Sequence, residues 1–173
     1  MNTLLDFDSS KIKDLSREPK VRKRSEPREV THTITMVPAN YLNNLWPDVR
    51  TQLAKATKRS NGRWSLEFLH AAISNGSQQL WVAFDSENHI DGVGTTEILQ
   101  YPERKMLAVQ FLGGDNFNSW VWEMLDRFKD FGRDNSCQGM EATARMGFWK
   151  WLEQDKFSRS FVVYERSLED GKE

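Results

Sequence analysis

The stretch Gln110-Phe-Leu-Gly-Gly-Asp-Asn-Phe-Asn-Ser-Trp120 decides the fold. Before it, KMLAVQFL (Lys105 to Leu112) carries the pattern of a strand. After it, Val121, Met124, Leu125, Phe128 and Phe131 recur at helical spacing, with Asn118 or Ser119 available as the N-cap. The period changes at Gly113-Gly114, which predicts a tight turn between a strand and an amphipathic helix.

Working upstream, QLWVAF (Gln79 to Phe84) and IDGVGTTEIL (Ile90 to Leu99) are two further strand patterns. The turns DSEN and Tyr101-Pro-Glu-Arg104 join them to the strand above as an antiparallel meander. Two helices are predicted before the meander. Tyr41 to Thr57 places Leu42, Leu45, Trp46, Val49 and Leu53 on one face after an Asn40 cap, with Pro47 predicting a bend or restart. LEFLHAAIS (Leu66 to Ser74) follows a Ser65 cap and stops at Asn75-Gly76. THTITMV (Thr31 to Val37) reads as the first strand, closed by Pro38.

Downstream of the glycine pair, the helix ends near Gly132. MEATA (Met140 to Ala144) then reads as a short strand, FWKWLEQ as a helix and FSRSFVVYERSL as a final strand or strand pair. The order β, α, α, β, β, β, α, β, α, β is that of an α+β chain.

A chain of 173 residues, 38% apolar, matches one ordinary domain. A net charge of -1 excludes a uniformly basic nucleic-acid binder, although a local basic patch remains open. No apolar run approaches the roughly 20 residues of a membrane span or forms a signal-peptide core, so the chain is expected inside a cell. The single Cys137 cannot form an internal disulfide. His32, His70 and His89 are scattered, so no metal site is expected.

Residues 1–29 read as an extended or disordered charged arm, residues 30–168 as the folded domain and residues 169–173 as a charged tail. The run REPKVRKRSEPR (Arg17 to Arg28) holds six Lys/Arg against two Glu. Lys20, Arg22, Lys23 and Arg24 are therefore candidates for partner contact, with a solvated tail as the alternative. Of the seven tryptophans, Trp122 falls off the predicted buried face of its helix and is a candidate partner contact; Trp149 and Trp151 cannot both point the same way.

The element order, with a glycine turn before the crossing helix, resembles the GCN5-related N-acetyltransferase (GNAT) fold over residues 30–168. That resemblance implies a mixed, largely antiparallel sheet of about six or seven strands flanked by helices on both faces. It also implies a fourth strand splayed from the fifth, with an acyl-CoA in the gap. The family signature Q/R-x-x-G-x-G/A maps onto Gln110-Phe-Leu-Gly113-Gly114-Asp115 and fails at its last position. On this mapping Gln110, Phe111, Leu112, Gly113, Gly114, Asn116 and Asn118 are the acyl-CoA contacts, because glycines and a helix start offer free N–H groups to a diphosphate. Asp115 places a repelling carboxylate there, unless the extra residues before the helix move it outward.

The family's proton-donating tyrosine, five residues before Phe157, is replaced by Leu152, with Tyr164 or Tyr101 as substitutes from elsewhere. Glu97 is either a general base or an exposed strand carboxylate.

QLWVAF together with A-R-x-G-F-W-x-x-L-x-x-x-x-F (Ala144 to Phe157) is similar to GNAT-type proteins of tailed bacteriophages. This similarity implies a virion or assembly component of the host cytoplasm or the particle, with lost or weak catalysis and no cofactor. Its partners would be other virion proteins or further copies through the arm, with the basic run as a nucleic-acid contact. The alternative is an active acetyl-CoA-dependent N-acyltransferase acting on a small amine or a protein lysine.

Overall fold

A computed structural model of the protein describes residues 23–25 and 29–168. The expected tail at residues 169–173, most of the arm, and with it Lys20 and Arg22, lie outside the described residues.

The sheet has five strands: β1 (Thr33–Val37), β2 (Gln78–Phe84), β3 (Ile90–Gln100), β4 (Lys105–Gly114) and β5 (Gly139–Ala142). They lie in sequence order, antiparallel from β1 to β4 and parallel between β4 and β5. The parallel step needs a crossover, and the amphipathic helix α3 (Phe117–Asp134) supplies it. Helices α1 (Leu42–Thr57) and α2 (Leu66–Ser74) cover the opposite face.

Alternation along β2 sorts the two cores. Leu80 and Val82 pack with Val49 and Leu53 of α1 and Leu69 and Ile73 of α2. Trp81 and Ala83 point the other way, toward Trp120, Met124, Leu125 and Phe128 of α3. Each fully buried large side chain contributes about 1.5–3 kcal/mol, so α3 is the most strongly anchored helix. Gly92 fits this arrangement closely: a Cβ there would meet the Trp120 ring at 2.4 Å.

Several expectations are corrected. The sheet has five strands among the described residues, fewer than six or seven, because Ser158 to Leu168 run over the surface without pairing. Phe161, Val162, Val163 and Tyr164 are 66–90% exposed there, and strand propensity without a neighbouring strand does not make a strand. The glycine pair is not a turn. Gly113 and Gly114 belong to β4 and pair with Val93 and Gly92, so the corner falls at Asp115 and Asn116. Helix α1 runs through Pro47 without a break, and it starts from a single 3-10 turn at Ala39–Tyr41 with no side-chain cap from Asn40. Ser65 does cap α2, its Oγ accepting from Phe68 N at 3.1 Å. The helix expected at FWKWLEQ is one turn, α4 (Trp149–Leu152), after a 3-10 turn at Met146–Phe148.

Trp122 is buried, 1% exposed, and is no surface anchor. Arg24 of the arm lies over its ring at 5.4 Å and bonds Asp126 and Asp155, so this part of the arm packs on its own domain. Arg24 is thereby withdrawn from partner contact; Lys23 stays exposed. No helix among the described residues is long and apolar enough to cross a membrane.

Candidate active site

The site is built around one extra residue. Between β3 and β4 the register runs Thr96 to Val109 and then Thr95 to Phe111, leaving Gln110 as a bulge. Such an insertion bends the strand and breaks its regular pairing. On the other side, the parallel pairing of β4 with β5 ends at Val109 and Ala142, one residue before the bulge. From Gln110 to Gly114, β4 therefore keeps β3 on one side and parts from β5 on the other. β5 ends at Ala142, which leaves this edge of β4 as an open wedge without a strand partner among the described residues.

At the apex of the wedge, Gln110 Nε2 donates to Glu97 Oε2 at 2.9 Å. Gln78 Nε2 approaches the same oxygen at 3.4 Å. Glu97 Oε1 has no hydrogen-bond partner among the described residues, and no cation pairs with this carboxylate there. Glu97 is half-buried and held by two amides. The Oε1 of Gln78, a residue 2% exposed, is buried without a partner among the described residues. Such an orphan acceptor costs about 1–3 kcal/mol. Beside these groups lies a cavity of about 250 Å³, walled by Trp64, Phe68 and Ala72 and ending on Gln78 and Glu97. Phe111 meets Trp64 edge-on, with ring centroids 5.8 Å apart, which ties the bulged strand to the cavity wall. Leu112 lies partly buried against the opposite core.

At the far end of β4, a second bulge shapes the corner. Asp91 is the extra residue of β3 where its register against β2 slips between Ala83 and Phe84. Its carbonyl accepts from Asp115 N at 2.8 Å. Its Oδ2 accepts from Asn116 Nδ2 at 3.2 Å and from His32 Nε2 at 3.0 Å. The other ring nitrogen of His32 faces Thr31 Oγ1 at 2.8 Å. Asn116 is left-handed, φ 50°, and makes no side-chain cap to α3. Asn116, Phe117 and Asn118 thus present backbone N–H groups with no acceptor among the described residues, as at any uncapped helix start.

Asp115 is exposed and its Oδ2 accepts from Gln52 Nε2 of α1 at 3.2 Å, so its charge is drawn toward α1. Asn118 is engaged differently from the expectation, because its Oδ1 accepts from Trp151 Nε1 at 3.2 Å. Phe117, Phe148 and Trp151 form a ring cluster over the start of α3. Sequence reasoning missed two cations here. Arg145 stands 5.8 Å from the Phe148 ring and Lys150 5.3 Å from the Trp151 ring, and neither is ion-paired among the described residues. Their signal was the mixing of two basic residues with three aromatics in ARMGFWKW.

The expected proton donors are not brought together with Glu97. Tyr164 is 90% exposed and its hydroxyl has no partner among the described residues. Tyr101 donates to Glu141 Oε1 at 2.8 Å at the opposite end of the β3–β4 hairpin, a bond that raises the phenol's pKa. Leu152 offers no proton. Among the described residues no group of three His, Cys, Asp or Glu is placed to hold a metal.

No family model matches the sequence, and no curated protein matches it either. Solved structures do match. The ribosomal-protein-alanine N-acetyltransferase of Brucella melitensis biovar Abortus 2308 superposes with a TM-score of 0.61 at 12% identity, covering 80% of this chain and 99% of that one. The glucosamine-6-phosphate N-acetyltransferase of Arabidopsis thaliana gives 0.57 at 13%, over 80% and 99%. An aminoglycoside acetyltransferase from an uncultured soil metagenomic sample gives 0.57 at 16%, over 80% and 97%. With the bulged β4, its parting from β5 and the crossover by α3, these likenesses establish that the chain has a GNAT-like α+β fold.

Proposed function

We propose that the protein is an acyl-CoA-dependent N-acyltransferase. The observation that carries this reading is the juxtaposition at Gln110: the residue at which β4 leaves β5 is the one whose amide holds the Glu97 carboxylate. The residues present fit a CoA ester. Beyond Val109 the β5-facing side of β4 is free of strand pairing, which suits the amide-bearing arm of the cofactor. The free N–H groups of Asn116, Phe117 and Asn118, with Arg145 and Lys150 beside them, suit its phosphates. When bound, acetyl-CoA supplies an activated acyl carbon.

Glu97 then acts as the general base. Its Oε2 is fixed by Gln110, and to a lesser degree by Gln78, leaving Oε1 to take a proton from an incoming ammonium. Leu152 leaves this chain without the family's proton donor at that position, so its own groups contribute positioning and base catalysis. The test is calorimetry with acetyl-CoA. Saturable binding that weakens when Arg145 and Lys150 are both changed to Ala supports the reading, and no heat at millimolar acetyl-CoA would sink it.

A second reading, a virion or assembly component of a tailed phage with catalysis lost, is favoured by one observation: the exposed apolar run Phe161 to Tyr164. Contacts through the arm to further copies, or through Lys23 to nucleic acid, belong to this reading. It requires self-association in sedimentation, or nucleic-acid binding that fades with salt, together with no response to acetyl-CoA.

A further inference from the structure

We infer that the cavity between α2 and β3 is the acceptor site of this reaction and that it takes a primary amine carried on a flat apolar group, an arylalkylammonium. This rests on the N-acyltransferase reading of the wedge.

The cavity has two unlike ends. Its wall is aromatic: Trp64 and Phe68 lie 5.1 Å apart at a 58° tilt, and Phe111 supports Trp64 from behind. Ala71 and Ala72 leave the opposite wall small and apolar. Of its polar lining, Asn75 and Ser77 bond each other, while Gln78 and Glu97 each keep one oxygen, Oε1, without a partner among the described residues, and both oxygens are acceptors. An ammonium has donors for both, and its charge answers the unpaired carboxylate. Among the described residues no Lys, Arg or His lines the cavity. The neighbouring Arg63 is taken by Glu165. Phosphorylated or carboxylated acceptors therefore find no counter-charge, while a polyamine's second charge would meet only the Trp64 and Phe68 rings among the residues lining the cavity, a weaker contact than a buried aromatic ring makes there. An aromatic ring satisfies that wall.

The nitrogen so placed is beside Gln110, the apex of the wedge. The balance is that of amide formation. The ammonium gives one proton to Glu97, and the C–N bond forms as the C–S bond breaks. The sulfur keeps that bond's electron pair, and the second nitrogen proton ends on it.

The test is calorimetry on the full chain without any CoA, using 2-phenylethylamine, spermidine and glucosamine 6-phosphate in turn. 2-Phenylethylamine is expected to bind at least about tenfold more tightly than either of the others, and Glu97→Gln and Trp64→Leu are each expected to weaken it by about tenfold or more. Trp64→Phe keeps an aromatic wall and is expected to hold most of the affinity, which guards against a folding defect in Trp64→Leu. Equal or weaker binding of 2-phenylethylamine, or binding indifferent to Glu97→Gln, overturns the inference. If acetyl-CoA binds the same preparation while the amines show no preference, this inference falls and the acyltransferase reading stands. If 2-phenylethylamine binds as expected and acetyl-CoA does not, the amine site stands and the acyltransferase reading falls.

Discussion

Asp91 holds Asn116 through a side-chain hydrogen bond of 3.2 Å while its own backbone carbonyl takes the Asp115 N–H. The same carboxylate binds the buried His32. One bulge residue on β3 thus fixes both the β4–α3 corner and the start of β1. Asp91→Ala is expected to lower stability by about 1–3 kcal/mol, chiefly by leaving the Nε2 of His32 unpaired, and to weaken acetyl-CoA binding. Urea unfolding and calorimetry check the two effects, and Asp91→Asn should recover part of both. A variant with unchanged stability would refute the role given to this carboxylate.

The two glycines of β4 should respond differently to alanine. Gly114 has φ +145°, and a Cβ there would lie 2.1 Å from the Asp91 carbonyl oxygen. Gly114→Ala is expected to cost at least about 2 kcal/mol. At Gly113 the nearest atom to an added Cβ is Gln52 O at 3.5 Å, an ordinary contact. Gly113→Ala should therefore stay within about 1 kcal/mol of the native protein. Thermal unfolding of the pair decides this, and equal losses would contradict it.

The cluster that seats the arm predicts a pH dependence. Burial raises the Asp126 pKa, but hydrogen bonds from Arg24 and Lys129 outweigh it and hold the carboxyl below its ordinary value. A depressed folded-state pKa stabilises the fold above the unfolded value, about 3.9. That contribution is lost as pH falls through the folded value. Asp126→Asn should therefore flatten the loss of stability on acidification below about pH 4. At neutral pH the substitution should cost less than about 1 kcal/mol, because the side chain is 42% exposed. Urea midpoints taken from pH 6 down to pH 2.5 test the sign.

Asp115 carries the charge that sets this corner apart from the Q/R-x-x-G-x-G/A signature. Its carboxylate is exposed and held by Gln52, so screening is substantial. Asp115→Asn should tighten acetyl-CoA by about two- to tenfold at low ionic strength, and by less in high salt. Titrations at two salt concentrations check this. A gain that does not shrink with salt would mean that charge is not the cause.

Much of the fold was legible in the sequence because long elements advertise their period. The meander and α3 were readable from alternation and from Val121, Met124, Leu125 and Phe128. Trp122 was misread because a helical stripe assumes one covered side, and Arg24 from the distant arm covers part of another. Nothing local in the sequence marks that contact. Gln110 was singled out for its motif position, yet what it does follows from a register slip that only the pairing of β3 with β4 discloses. The Phe161 to Tyr164 run failed in the opposite sense, since propensity was present and the neighbouring strand was not. Gln78 and the cavity it closes were invisible, because α2 and β3 meet there only after folding.

The bulge at Gln110 makes the faces of β4 depend on register as well as on composition. If Gln110 were drawn into a regular ladder with β3, the pleat would turn Phe111 away from Trp64 and Leu112 away from the core beneath α3. Deleting Gln110 would instead keep the pairs Thr96–Val109 and Thr95–Phe111, and with them the faces of the residues that follow, while removing the amide that holds Glu97. Substitutions along the strand can be absorbed by repacking; a slip in its pairing after Val109 cannot.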